Sequence, residues 1–328
     1  MRDKRIDILK AIGIILVVWG HFSSLFARWI YTFHMPLFFF ATGFLRYGRK
    51  NKTWKTFLIK KLKTVIVPYV VFWTISVVIF NNLSYLIKFK QFFPIGLNEF
   101  KGLLLGGEWL NSYSNNFGLW FLQTYFIASI VFEIIVRNCN AKIKVFAFIF
   151  FTLATVPFQS FLTGRPIFHI NVLPAALSFM FIGYFVKYAI SQGRLKSLQD
   201  NILIGGFSII IGWILSVLNH YGNISDIKSP LYIISATLTI LGIYILSDRL
   251  TNSKILNYIG SATIYILGLH CITFPVIQKL LSNIGLNNTY LVIIATVALS
   301  VFMCCAMVEI YTIIKGHLSI YIKRLAKS

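Results

Sequence analysis

Acidic residues are scarce in this chain. Its 328 residues include 9 Asp and Glu against 31 Lys and Arg, and charged residues of both signs make up only 12%. A soluble domain carries about 25% charged residues, so a water-exposed globule is excluded. There are four cysteines, and Cys139, Cys271, Cys304 and Cys305 show neither disulfide nor zinc-ligand spacing, which reads as packing. No GxSxG elbow, Walker loop or HExxH pair occurs, so the sequence offers no support for serine hydrolysis, nucleotide hydrolysis or zinc catalysis. Repeats and low-complexity tracts are missing too.

What is present is apolar length. Hydrophobic residues reach 57% and mean hydropathy is +0.76. Stretches near the spanning length of about 20 residues recur from end to end. They predict an all-α polytopic membrane protein, a bundle of about ten transmembrane helices forming one domain over 1–328. The spans fall roughly at 8–27, 29–47, 63–82, 117–136, 145–162, 170–189, 202–220, 230–248, 257–278 and 289–314. No small-residue cleavage site follows His21 and a second apolar span begins at once, so the first span reads as retained rather than as a signal peptide.

The formal net charge of +22 would suggest nucleic acid in a soluble chain. Here the basic residues lie in short connections, and topology accounts for them without nucleic acid. Only Arg28, Lys88, Lys90, Lys101, Arg165, Lys228 and Lys279 fall in one alternate set of connections; the other Lys and Arg residues, including the run from Arg46 to Lys63, fall in the opposite set. Positive-inside bias then predicts a multi-pass plasma-membrane protein with both termini cytoplasmic. The long connection 83–116, with Pro94, the GLLLG run and Trp109, reads as a re-entrant or interfacial segment.

Ionisable groups inside spans are costly, and by default they mark function. Lys10 and His21 are eleven residues apart, close to three helical turns, with Asp7 one turn before Lys10. One stripe of the first helix therefore runs from an acid and a base to a histidine about 16 Å further along. Asp7 and Lys10 also fit simple snorkelling charges at a helix end, and His21 fits a hydrogen-bonded structural role. His270 in the ninth span and His34 near the end of the second are expected at similar depth, which makes a shared polar cavity economical. Arg165 and His169 lie in the connection on that same side, and Trp120 fits an interfacial anchor. Histidine suits proton transfer because its unperturbed pKa is about 6.5.

At these residues the chain resembles the membrane acyltransferase-3 family, in its sugar and polysaccharide O-acetyltransferase branch. The likeness lies in RIDILKAIGIILVVWGH (Arg5 to His21) and FHMPLFFFATGFL (Phe33 to Leu45). Weaker echoes follow at LWFL (Leu119 to Leu122), FMFIGYFVKY (Phe179 to Tyr188) and IGSATIYILGLH (Ile259 to His270). Many members carry arginine where this chain has Lys10, and a lysine holds phosphate as a point charge without the bidentate fork. The resemblance implies transfer of an acetyl group from acetyl-coenzyme A, a donor substrate rather than a bound cofactor, to a hydroxyl of a cell-surface or lipid-linked glycan. It implies donor binding by Asp7 and Lys10, His21 as general base, His34 or His270 orienting the acceptor or carrying the acyl group, and Arg165 and Trp120 at the acceptor. The competing reading is a proton-coupled transporter or flippase of a polar solute. It is weakened by the lack of inverted halves and paired broken helices. A scaffold subunit leaves the His21 stripe without a purpose.

Overall fold

The computed structural model describes residues 3–22, 26–104, 116–162, 166–195, 201–286 and 288–325, and what it describes is an all-helical membrane bundle. The helices are α1 (Lys4–Gly20), α2 (Ala27–Arg46), α3 (Trp54–Phe89), α4 (Leu97–Leu104), α5 (Trp120–Asn138), α6 (Ala141–Phe161), α7 (Leu173–Ser191), α8 (Ile202–Leu218), α9 (Leu231–Leu246), α10 (Lys254–Ser261), α11 (Thr263–Asn283) and α12 (Thr289–Leu325). Among the described residues, 7 are long and apolar enough to cross a membrane: α3, α5, α6, α7 with its preceding turn, α9, α11 and α12. The shorter apolar α8 and the polar-bearing α1 and α2 pack with them in the bundle.

Short polar side chains start these helices by accepting the backbone N–H groups that the first turn leaves unpaired. Asn140 accepts from Ile143 N at 3.0 Å to open α6, Asn201 from Leu203 N at 3.0 Å to open α8, and Thr53 from Thr56 N at 3.2 Å to open α3. Within the spans, Ser and Thr hydroxyls turn back onto carbonyls of the preceding turn, as Thr42 does onto Phe38 O and Ser178 onto Pro174 O, both at 2.9 Å. These bonds satisfy hydroxyls that lie inside the bundle.

The core centres on α1, α2 and α7, flanked by α5, α9 and α11. Between α2 and α7 the backbones touch: a Cβ on Gly43 would lie 1.7 Å from Met180 O, and one on Gly183 would lie 2.0 Å from Phe40 O. Without a hydrophobic force between helices in lipid, such close backbone packing is a main source of association. Helix α1 meets α10 in the same way, with Gly260 against the Asp7 carbonyl. By contrast α6 keeps most of its surface outside the bundle, with Phe146, Phe150 and Leu153 exposed.

Several boundaries differ from the sequence reading. The first span ends at Gly20 and not near residue 27, so His21 lies at the rim and is exposed rather than buried. The third runs from Trp54 to Phe89, past its expected 63–82. Lys60, Lys61 and Lys63 extend the helix beyond the apolar stretch, and π turns at Leu62–Ile66 and Ile75–Asn81 widen it. The ninth is two helices broken at Ala262, beside the Gly260-Ser261 pair, a common cause of kinks. The last continues to Leu325. In the connection 83–116, α4 folds back onto the bundle: Tyr69 OH donates to Leu103 O, and Gln123 Nε2 donates to the same carbonyl at 2.9 Å.

Candidate active site

A cavity of about 720 Å³ opens between α1, α2, α3, α5 and α11. Its lining is sorted by chemistry. Eight cations border it, Lys10, Arg46, Arg49, Lys50, Lys52, Lys60, Lys61 and Arg137, against one acid, Glu133. Arg49, Lys50, Lys52 and Lys60 are exposed and form the mouth, whereas Ile14, Phe121 and Leu267 are buried and form an apolar depth. Such a cleft concentrates field lines from one sign of charge and draws anions inward.

The cationic mouth is organised from below. Glu133, buried on α5, accepts from Arg46 Nε at 2.7 Å and from Arg137 Nε at 2.5 Å. Both guanidinium groups then reach the loop after α2: Arg46 donates to Arg49 O at 2.9 Å, and Arg137 donates to Lys52 O at 2.7 Å. Arg137 also stacks 4.3 Å from the Trp54 ring centroid. Deeper in, Lys61 donates to Ser129 Oγ at 2.9 Å and sits 4.5 Å from the Tyr125 ring centroid. On α1, Lys10 pairs with buried Asp7 at 2.8 Å while remaining part-exposed toward the cavity.

Leu267 lines this cavity, and the histidines lie further along the same helix, outside the lining. One turn along α11 lies His270, fully buried, whose ring centroid is 5.0 Å from that of His21. Phe274 packs on both rings, 5.9 Å from His21 and 5.5 Å from His270. His34 is buried on α2 with Tyr31 edge-on at 5.2 Å, and it lies within electrostatic range of His21. The backbone fixes two of these rings. His270 Nδ1 is 2.9 Å from Ile266 O, and His34 Nδ1 is 2.7 Å from Ile30 O. A carbonyl only accepts, so each Nδ1 carries the proton and each neutral ring keeps its basic lone pair on Nε2. Cys271 Sγ is 3.3 Å from His270 Nε2.

The segment before α5 braces the pair. Asn116 Nδ2 donates to Ser76 Oγ at 2.9 Å and to Gly268 O at 2.8 Å. Two residues on, a Cβ at Gly118 would come within 3.2 Å of His270 Cε1, so the small residue lets this segment lie against the imidazole. Trp120 is part-buried and faces His169, ring to ring at 5.2 Å. His169 and Phe168 both adopt left-handed backbone, φ 49 and 58, which is uncommon for non-glycine residues. Arg165 lies outside the described residues.

The structure therefore brings His21, His34 and His270 to one end of the bundle and places Asp7 and Lys10 toward the other, beside the cavity. Sequence reasoning missed the Glu133 clamp on Arg46 and Arg137. Their (i, i+4) spacing, Glu133 to Arg137, was a usable signal. It also missed Cys271 beside His270 and Lys61 inside the cavity.

Among known families, one described as an acyltransferase domain matches residues 3–309. No curated protein and no solved structure matches the chain significantly.

Proposed function

The chain belongs to the acyltransferase-3 family, and from that premise we propose that it moves an acetyl group from acetyl-coenzyme A to a hydroxyl of a cell-surface or lipid-linked glycan. The observation that carries this reading is the cation-lined cavity, whose apolar wall includes Leu267, one turn along α11 from the His270 ring that packs on His21. Acetyl-coenzyme A has the matching polarity. Its phosphates suit the eight cations, its pantetheine arm suits the apolar depth past Ile14 and Leu267, and its thioester then reaches the His21 end. The same charge bias that fills the mouth with lysine and arginine supports a cytoplasmic mouth and cytoplasmic termini at the plasma membrane, the side on which the donor is made.

A sugar hydroxyl is a weak nucleophile until a base removes its proton, a step worth about 10²–10⁴-fold. His21 is exposed at the opposite end, where an acceptor can approach, and its partner His270 is held by Ile266 O. In this reading His21 takes the hydroxyl proton as the oxygen attacks the thioester carbonyl. The carbon–sulfur bond breaks, and the leaving thiolate recovers the proton from the imidazolium. His34 and His270 hold the acceptor and the His21 ring in register, with Trp120 and Arg165 on the acceptor side.

The test is turnover of purified protein in nanodiscs with labelled acetyl-coenzyme A and a glycan acceptor. Label appearing on acceptor hydroxyls, with coenzyme A released, is the expected result. Solute flux without thioester consumption overturns the reading.

A further inference from the structure

His21, His270 and Cys271 each point a metal-ligating atom into one space, all within 4.8 Å of one another. From this geometry we propose a binding site for a borderline-soft divalent ion of the zinc type, built on the two imidazoles and the thiolate, which silences the histidines while it is occupied. The metal site follows from the ligand set alone, while its silencing effect rests on the proton-transfer role given to His21 above.

Three features support it. The donor set is two nitrogens and one sulfur, the chemistry that zinc prefers over calcium or magnesium, with a fourth position left for water. Distances fit as well. Zinc–nitrogen bonds of about 2.0–2.1 Å and zinc–sulfur bonds of about 2.3 Å put tetrahedral ligand atoms about 3.5 Å apart. The His270 Nε2 to Cys271 Sγ separation is already 3.3 Å. No separation in the cluster exceeds the tetrahedral value by more than about 1.3 Å. His21 is exposed at the rim, so a rotamer change there closes the gap without moving the buried ring.

The third feature is outer-shell support. A ligating histidine normally donates its other ring N–H to a carbonyl or carboxylate, which fixes the tautomer and strengthens the ligand nitrogen. His270 does this through Nδ1 to Ile266 O at 2.9 Å. Metal binding requires the same imidazole lone pairs that proton transfer uses, so the ion and the base compete for one electron pair. Binding releases the Cys271 thiol proton to solvent, with no change of oxidation state.

The experiment uses the full-length protein in nanodiscs, stripped with chelator, with Co²⁺ as an optical probe and Zn²⁺ as competitor. One Co²⁺ per chain with a thiolate-to-cobalt absorption band, displaced by Zn²⁺, is expected. Cys271→Ser should abolish the band and weaken Zn²⁺ binding about 10-fold to 100-fold, while Cys139→Ser, at the turn between α5 and α6, should leave both intact. Binding that is absent, or that survives Cys271→Ser unchanged, overturns the site. In the transfer assay, saturating Zn²⁺ should lower the rate at least about tenfold, and chelator should restore it. If chelator alone abolishes transfer, the ion is required and its silencing role is overturned. Stoichiometric binding without inhibition keeps the metal site and removes His21 from proton transfer, which overturns the proposed function instead.

Discussion

Asp7 holds the ammonium of Lys10 at 2.8 Å, one turn apart on α1, with the carboxylate buried and the ammonium open to the cationic cavity. The acid fixes where the base points, and Gly260 of α10 in turn packs on the Asp7 backbone. If Lys10 grips a donor phosphate, its loss removes about 1.5–3 kcal/mol of charge-assisted hydrogen bonding, or about tenfold to a hundredfold in affinity. Lys10→Ala should therefore raise KM for acetyl-coenzyme A by that factor with kcat little changed, because phosphate holding is shared by ground and transition states. Lys10→Arg should keep most activity. Steady-state kinetics distinguish this from a catalytic role, in which kcat would fall and KM would not.

His21 separates chemistry from structure by choice of replacement. His21→Ala and His21→Gln should both cut transfer by about 10²-fold or more while donor binding persists, since glutamine hydrogen-bonds but is not a base. A glutamine variant with near-normal acetylation would remove His21 from the reaction.

Among the described residues Glu133 is the only acid bordering a cavity with eight cations, and it holds Arg46 and Arg137 at once. Breaking a buried ion pair from one side costs about 3–5 kcal/mol. Glu133→Gln should lower the unfolding midpoint in detergent and loosen the loop after α2, seen as faster proteolysis between residues 47 and 53. Unchanged protease sensitivity would mean that the loop is held some other way.

Gly183 leaves no room for a side chain against Phe40 O. Gly183→Ala should separate α2 from α7 and destabilise by about 1–3 kcal/mol, the usual range for overpacking. Gly206, whose added Cβ meets nothing within 4 Å, is the control position. Thermal unfolding of the purified variants compares the two.

Orientation is checked independently of activity. A reporter fused after Ser328 should read as cytoplasmic. An external location would reverse the assignment of donor and acceptor sides.

The ten apolar stretches were legible because a bilayer demands a nearly constant apolar length, and chain order alone shows it. The break at Ala262 had a local signal in the Gly260-Ser261 pair, but the packing of Gly260 onto Asp7, a contact between residues 253 positions apart, did not. The histidines announced themselves through the cost of placing them in hydrocarbon, and depth counting put His21 and His270 at one level, where their rings are 5.0 Å apart. Which atoms they offer was hidden, since the Nδ1 bonds to Ile266 and Ile30 are matters of rotamer. Likewise the run of cations after α2 was plain in the sequence as charge. Its shape as a cavity mouth depends on Glu133, whose partners lie on two different helices.

The two pinned imidazoles also bear on electrical insulation. A relay that hands protons along a chain must accept on one ring nitrogen and release from the other. His34 and His270 each have Nδ1–H committed to a carbonyl of their own helix, so a proton arriving at Nε2 leaves from Nε2. Each ring is a dead end for hopping. Neither His34 nor His270 can serve as a through-relay for protons while its Nδ1–H is held in this way.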